Sequence, residues 1–160
     1  DYYEKALAIH LQVYGDQHLS TGASYNNLGI VWTNKGQYNK AIDYYEKALA
    51  IHLQVHGSQH PSTGISYNNL GSVWKNKEEY DKAIDYYQKA LAIRLKVYGP
   101  QHSFTGRLYN ILGNCYRNKK QYLIAKKYYQ KSYNIFLSKL GEKHQHTKLL
   151  AKKLKEINDQ

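Results

Sequence analysis

Methionine is absent from the 160 residues, and cysteine occurs once, as Cys115. A single cysteine excludes an intrachain disulfide framework and a zinc site built from several cysteines. No apolar run approaches the roughly 18 residues that a transmembrane helix requires, and no signal-type segment opens the chain. We therefore expect a cytoplasmic protein that does not contact a membrane. Because no initiator methionine is present, we also expect a fragment of a longer protein.

Phenylalanine and tryptophan are scarce, with two residues each, whereas tyrosine occurs 18 times. The apolar fraction of 42% excludes a wholly disordered chain. Such an excess of one aromatic residue needs a structural cause, and an internal repeat supplies one.

The repeat has a period of 42 residues. The segment Ser-Tyr-Asn-Asn-Leu-Gly at 24–29 returns at 66–71 and, in a looser form, at 108–113. No insertion interrupts the period, which predicts a single repeat domain over 1–160. Its parts are a half repeat (1–23), three repeats (24–65, 66–107 and 108–149) and a C-terminal cap (150–160).

Each repeat is expected to contain two α-helices. Apolar residues at helical spacing predict a first helix near 21–34 and a second near 38–56, with Gly36 between them in a left-handed conformation. Glu78 and Lys120 replace that glycine in later copies, which predicts modest backbone strain there. Helix pairs of fixed period must stack to bury their apolar faces, so we expect an all-α fold, an α-solenoid of antiparallel helix pairs.

The repeat also explains the tyrosines, because it multiplies a few positions into a large count. They recur as Tyr2-Tyr3, Tyr44-Tyr45, Tyr86-Tyr87 and Tyr128-Tyr129 on second helices, and as Tyr25, Tyr67 and Tyr109 on first helices. A buried ring with its hydroxyl at the edge of the core suits these positions. We favour core packing over the alternative of an aromatic binding site.

These positions resemble the tetratricopeptide repeat (TPR) pattern. In the first complete copy the matching residues are Tyr25, Leu28, Gly29, Trp32, Ala41, Tyr45 and Ala48. The 42-residue period and the Tyr-Asn-Asn-Leu-Gly opening look like the kinesin light chain type of this family. The resemblance implies a right-handed superhelix whose first helices line a concave groove that binds peptides or partner proteins.

Carried over residue by residue, the resemblance predicts which side chains form the groove wall. They are Asn26, Asn27, Ile30, Asn68, Asn69, Ser72, Lys75, Arg107, Asn110, Asn114 and Arg117. Asparagine amides both donate and accept hydrogen bonds, which suits the reading of a peptide backbone. The three basic side chains favour acidic ligands. The alternative is that these asparagines are solvated helix residues copied by duplication.

Positive charge is concentrated at the C-terminal end. Residues 108–160 contain 12 lysines and arginines and 3 acidic residues, so they hold +9 of the net charge of +11. We favour a solvated cap in which Leu149, Leu150, Leu154 and Ile157 pack inward while the lysines face water. The alternative is a surface for an acidic partner or nucleic acid. No base-reading motif supports nucleic acid, and the aromatic residues are assigned to the core.

No catalytic residue, metal ligand or cofactor site is predicted. His18, His60, His102 and His144 recur every 42 residues in the loops, where we expect them to cap the next first helix. His52 and His56 lie one helical turn apart, but no third zinc ligand accompanies them. Cys115 lies inside a first helix, where a buried apolar role is expected. We therefore do not expect an enzyme.

The sequence predicts a non-enzymatic interaction scaffold that binds a peptide or partner protein. Two alternatives stay open beside it. One is end-to-end self-association, because residue 1 aligns with a second helix and leaves an apolar face around Tyr3, Leu7 and Val13 without its usual neighbour. The other is binding of an acidic partner or nucleic acid by the basic C-terminal surface.

Overall fold

The structure, a computed structural model, describes residues 2–158. Within that range α-helices joined by short loops are the only regular secondary structure. Asp1, Asp159 and Gln160, at the ends of the predicted half repeat and cap, lie outside the described residues. The helices are α1 (Tyr2–Tyr14), α2 (Leu19–Asn34), α3 (Tyr38–His56), α4 (Pro61–Asn76), α5 (Tyr80–Tyr98), α6 (Ser103–Asn118), α7 (Tyr122–Leu140) and α8 (Gln145–Asn158). The expected all-α fold of paired helices is confirmed.

The chain divides into two compact units between Ile93 and Arg94. In the first unit α1 packs on α2, α2 on α3 and α3 on α4, and in the second α6 packs on α7 and α7 on α8. The first helices α2, α4, α6 and α8 begin 42 residues apart, so α8 occupies the register of a further first helix. The single-domain assignment and the repeat boundaries stay predictions.

Histidine caps the four first helices, as the loop periodicity predicts. The ring nitrogen Nδ1 of His18 accepts a hydrogen bond from the Ser20 backbone N–H at 3.1 Å. The same bond recurs at the other three caps, at His60, His102 and His144. A residue with an extended backbone and a side-chain acceptor satisfies an N–H that the first helical turn leaves unpaired. The cap therefore fixes where each first helix begins.

The turn between the two helices of a repeat requires a left-handed residue. Gly36 adopts φ 71°, and its counterparts Glu78 and Lys120 adopt φ 63° and 59°. The left-handed backbone on which the strain prediction depends is thus present at both non-glycine residues, where a side chain at positive φ crowds its own backbone.

Close contact between a glycine and a tyrosine joins the two helices of each repeat. Tyr45 is only 4% exposed. Its ring packs directly on Gly29, since a Cβ at that position would lie only 2.5 Å from the ring atom Cε1. The same contact pairs Gly71 with Tyr87 and Gly113 with Tyr129. Core packing is thus confirmed for Tyr45, Tyr87 and Tyr129, whereas Tyr3, the second tyrosine of the first pair, is 41% exposed and Tyr2 is 79% exposed.

Each unit has its own apolar cluster. In the first it contains Ala41, Ile42, Tyr45, Leu70 and Val73. In the second it contains Ala125, Tyr129, Phe136, Leu150 and Ile157. Cys115 is also buried, as expected.

The expectation for the C-terminal helix is correct for some residues and wrong for others. Leu150 and Ile157 are buried, but Leu149 is 45% exposed. Lys153 is half-buried, whereas the other lysines of α8, Lys148, Lys152 and Lys155, are exposed. Both departures place these two side chains near the predicted binding residues.

Candidate peptide-binding surface

In the first unit, an asparagine pair joins the exposed faces of α2 and α4. Asn69 Nδ2 donates a hydrogen bond to Asn26 Oδ1 at 2.7 Å, across 43 residues of sequence. Both side chains are half-buried, so the bond aligns two successive first helices. An amide has two N–H donors and a carbonyl with two lone pairs, so this bond leaves capacity for a ligand.

The other predicted residues of the first unit lie on the same two helices, α2 and α4. Asn27 and Ile30 are exposed, whereas Asn68, Ser72 and Lys75 are half-buried. Lys75 lies in the last turn of α4. The first unit therefore presents a polar surface with one cation near its end.

In the second unit, Lys153 of α8 connects the predicted asparagines of α6. Its Nζ donates to Asn110 Oδ1 and to Asn114 Oδ1, both at 2.8 Å. Tyr129 OH also donates to Asn114 Oδ1 at 2.8 Å, and Lys153 Nζ lies 5.2 Å from the centre of the Tyr129 ring. The two amides are thereby fixed with their oxygens toward the cation.

The charge of Lys153 is poorly compensated at this position. Burial and the nearby Arg117 lower the pKa of Lys153 to about 8, and Glu156 opposes the shift. Burial likewise raises the pKa of Tyr129 to about 12, so its hydroxyl stays a donor at neutral pH. An anion close to Lys153 and Arg117 would offset the cost of desolvating the ammonium group.

Two recesses open beside this cluster. One, of about 300 Å³, is bordered by Arg117, Lys153 and Glu156. The other, of about 370 Å³, is bordered by the polar residues Arg107 and Asn110 and by apolar side chains that include Phe136 and Leu149. The second unit therefore offers a charged recess and a partly apolar one along the same pair of helices.

Lys153 and Leu149, like Tyr129, Phe136 and Glu156, are not among the residues predicted for the site from the sequence. The repeat contains a signal for Lys153, because it lies 84 residues after Asn69, two whole periods. The bond from Lys153 to Asn110 thus has the same register as the bond from Asn69 to Asn26. The equivalence of Lys153 with Asn69 is hard to recognise from the sequence, because many lysines surround Lys153 at the C-terminal end.

The histidines of the α3–α4 junction form a column of rings. His56 and His60 stack at 4.0 Å between ring centres, and His52 Nδ1 lies 2.7 Å from Ser66 Oγ. Burial, His56 and His60 lower the pKa of His52. Within residues 2–158, no group of three or more His, Cys, Asp or Glu residues has an arrangement that could hold a metal ion.

None of the helices in residues 2–158 combines the length and the apolar character needed to cross a membrane.

Stacked two-helix units with polar first-helix faces define an α-helical repeat protein. The profile of the tetratricopeptide repeat family matches residues 1–51, 33–75 and 74–138. The chain therefore belongs to the tetratricopeptide repeat family, as its sequence pattern suggests. Its fold is typical of protein–protein interaction scaffolds, and the family is generally non-enzymatic.

Solved structures with the same fold include kinesin-light-chain-type repeat proteins. One is a Podosopora anserina protein assigned as a kinesin light chain with nearly identical TPR-like repeats. The comparison gives a TM-score of 0.85 at 21% identity and covers 98% of this chain and 74% of that chain. BtubC (BKLC) from P. vanneervenii has a TM-score of 0.84 and 21% identity over 98% of this chain and 63% of its own.

A third similar structure is the N-terminal domain of stress-induced protein-1 from C. elegans. Its TM-score is 0.66 at 18% identity, with 88% of this chain and 96% of that chain covered. At these identities the likeness concerns the fold alone. No curated protein sequence matches the chain.

Proposed function

We propose that this chain is a non-enzymatic binding module that holds an acidic peptide segment of a partner protein on the exposed faces of its first helices. The observation that supports this most directly is the half-buried Lys153, held by two asparagines next to Arg117. A cation that is costly to desolvate and rigidly oriented is suited to a carboxylate ligand.

The geometry around Lys153 leaves room for such a ligand. An ammonium group has three N–H donors, and Lys153 directs two of them to asparagine oxygens among the described residues. The recess of about 300 Å³ beside it admits a carboxylate side chain. The partly apolar recess next to Arg107 suits an apolar side chain of the same peptide.

The first unit has a polar surface of its own. Asn26, Asn27, Asn68 and Asn69 suit hydrogen bonds to a peptide backbone, independent of the side chains of the ligand. Ser72 and Lys75 extend this polar surface, and Ile30 adds one exposed apolar contact. We therefore assign the acidic-ligand site to α6 and α8 of the second unit, and the polar surface of α2 and α4 stays a separate prediction for the first unit.

The test compares two adjacent lysines of α8. Lys153→Met keeps the aliphatic stem and removes the charge, whereas Lys152→Met makes the same change at an exposed residue. The probe is a fluorescein-labelled acidic peptide, with a glutamine version as its control, followed by fluorescence anisotropy. We expect Lys153→Met to weaken binding about tenfold and Lys152→Met to leave it within about twofold of the parent.

A pH profile gives a second readout. Because the pKa of Lys153 is about 8 in the free protein, the affinity should decrease as pH rises through that value. In Lys153→Met this step should disappear. Equal binding by both lysine variants, together with an unchanged pH profile, would refute the assignment of this surface.

The alternatives from the sequence stay predictions. End-to-end self-association is decided by sedimentation equilibrium over a range of concentrations, and a concentration-independent monomer argues against it. Nucleic-acid binding predicts a steep salt dependence of affinity. The cytoplasmic location and the absence of catalysis in this particular chain are likewise expectations.

A further inference from the structure

The second surface of interest lies on α7, away from the asparagines of α6. We call it the α7 patch and define it by Leu123, Ile124, Lys127, Tyr128 and Lys131. The helix α7 contains four lysines and no acidic residue. The repeats before it provide an internal comparison, because each position of α7 has a counterpart 42 residues earlier on α5.

On α5 the corresponding lysine is neutralised within the chain. Lys89 Nζ lies 2.7 Å from Asp85 Oδ2, one helical turn earlier, and is also 5.3 Å from the centre of the Tyr86 ring. The hydrogen bond that Lys89 Nζ donates to the Asp85 carboxylate raises the pKa of Lys89. This carboxylate therefore stabilises an ammonium group that sits over an aromatic platform.

On α7 the tyrosine rings beside the lysine are retained, but the carboxylate is absent. Lys131 Nζ lies 5.3 Å from the centre of the Tyr109 ring, and Tyr109 is 6.0 Å from Tyr128. The residue at the place of Asp85 is Lys127. Two like charges one helical turn apart repel each other, so this site lacks an anion that its counterpart possesses.

The same end of α7 exchanges polar for apolar side chains. Leu123 is 80% exposed and stands where α5 has Asp81, and Ile124, 39% exposed, stands where α5 has Lys82. A recess of about 490 Å³ runs along this face, bordered by Ile124, Lys127, Tyr128 and Lys131 among others. Exposed apolar side chains beside uncompensated cations mark an interaction surface.

We propose that the α7 patch docks an acidic amphipathic segment of a partner protein. A carboxylate of the partner lies between Lys127 and Lys131, where Asp85 lies on α5, and an apolar side chain of the partner covers Leu123 and Ile124. This surface is separate from the one proposed around Lys153, and neither proposal depends on the other.

The chemistry favours a protein segment over nucleic acid. Tyr128 stacks on Tyr116 at 5.3 Å with the rings 9° from parallel, so one face of its ring is already used. Binding of phosphates to the two lysines would leave Leu123 and Ile124 exposed to water. A segment that carries both carboxylates and apolar side chains satisfies both halves of the patch.

The experiment introduces on α7 the carboxylate that α5 has at Asp85. Lys127→Asp places a carboxylate one turn before Lys131, as Asp85 precedes Lys89, so the variant should fold and neutralise the patch internally. Lys148→Asp, at an exposed lysine of α8, makes the same charge change elsewhere. All proteins also carry Lys153→Met, which keeps the result independent of the other proposed site.

The probe is a short fluorescein-labelled helical peptide with glutamates one turn apart and leucines on the same face. We expect Lys127→Asp to weaken its binding about tenfold and Lys148→Asp to change it less than about twofold. Leu123→Asp, which copies Asp81, should also weaken binding. Circular dichroism verifies folding, and Lys127→Gln provides a milder variant that should show a smaller loss.

Three outcomes would overturn the proposal. In the first, Lys127→Asp and Lys127→Gln bind the peptide as the parent does. In the second, Lys148→Asp weakens binding as much as Lys127→Asp, which indicates diffuse attraction by net charge. In the third, single-stranded oligothymidine or phosphatidylserine vesicles bind more tightly than the peptide and lose affinity with Lys127→Asp.

Discussion

A methyl group added at Gly29 tests the contact that joins the two helices of a repeat. In Gly29→Ala the new Cβ would lie 2.5 to 2.8 Å from three ring atoms of Tyr45. Tyr45 cannot move away easily, because it is buried against Ala41, Ile42, Leu70 and Val73. Gly22→Ala, on the same helix, is the matched control, since its Cβ would lie 3.3 Å from the nearest atom, Ile51 Cγ2.

The magnitude follows from two opposing effects. Alanine improves helix propensity by about 1 kcal/mol over glycine at both positions. Overpacking of a rigid core costs about 1–3 kcal/mol, and the severe overlap at Gly29 should reach the upper part of that range. We therefore expect Gly29→Ala to lower the free energy of unfolding by about 1–2 kcal/mol net. At Gly22 a shift of a few tenths of an ångström relieves the contact, so Gly22→Ala should leave the free energy of unfolding unchanged or raise it by up to about 1 kcal/mol.

Urea unfolding provides the assay. Trp32 and Trp74 are the two tryptophans of the chain, and both lie before Ile93, so their fluorescence reports on the first unit. Circular dichroism reports on all helices. In the background Tyr45→Leu, which removes the ring, Gly29→Ala should lose most of its cost, because the overlap no longer exists. Equal stability of Gly29→Ala and Gly22→Ala would refute the reasoning.

Two further predictions concern stability. Since His52 has a pKa below its usual 6.5, the stability that it contributes is present above pH 6.5 and is lost as pH falls through its lowered folded value. The urea midpoint of the first unit should therefore decrease on acidification, and less so in His52→Asn. Glu78→Gly should raise the free energy of unfolding by about 0.5–1 kcal/mol, because it removes a side chain at φ 63°. Thermal unfolding checks this, and a lower midpoint would contradict it.

Features that depend on the repeat were predictable from the sequence. The histidine caps, the left-handed residues at Glu78 and Lys120, and the buried tyrosines Tyr45, Tyr87 and Tyr129 occupy fixed positions in a 42-residue period. A local rule, such as an acceptor at a helix N-terminus, then gives the same result in every copy. Predicting such positions requires no information about long-range contacts, because equivalent residues make equivalent contacts with the neighbouring copy.

The predicted wall of asparagines was only partly accessible to sequence reasoning. The pattern places Asn26 and Asn69 on first helices, but their mutual hydrogen bond depends on how closely α2 and α4 approach. The depressed pKa of Lys153 depends on burial and on Arg117, which composition does not reveal. Electrostatic properties of a site arise from contacts between helices, so they appear only with the three-dimensional arrangement.

Leu149 illustrates how two sequence rules can conflict. The apolar spacing of α8 predicts that it packs inward, whereas the repeat register aligns it with Ala23, Ile65 and Arg107, which are all exposed. The structure follows the register, because the position faces away from the second helix in every copy. In a repeat protein the register is therefore the stronger predictor, since stacking imposes one orientation on equivalent positions.

The repeat register also locates where the C-terminal part of the chain has diverged from the earlier copies. On α7 Leu123, Ile124 and Lys127 replace side chains that are charged at all three corresponding positions of α5, and Lys153 replaces the amide of Asn69 on α8. These changes leave the tyrosine and glycine positions of the core intact. Leu123, Ile124 and Lys127 are exposed and Lys153 is half-buried, so these four changes do little for the stacking that the repeat requires. They instead alter charge and apolar surface on opposite helices of the α6–α8 unit, which is the pattern expected if that unit carries the recognition.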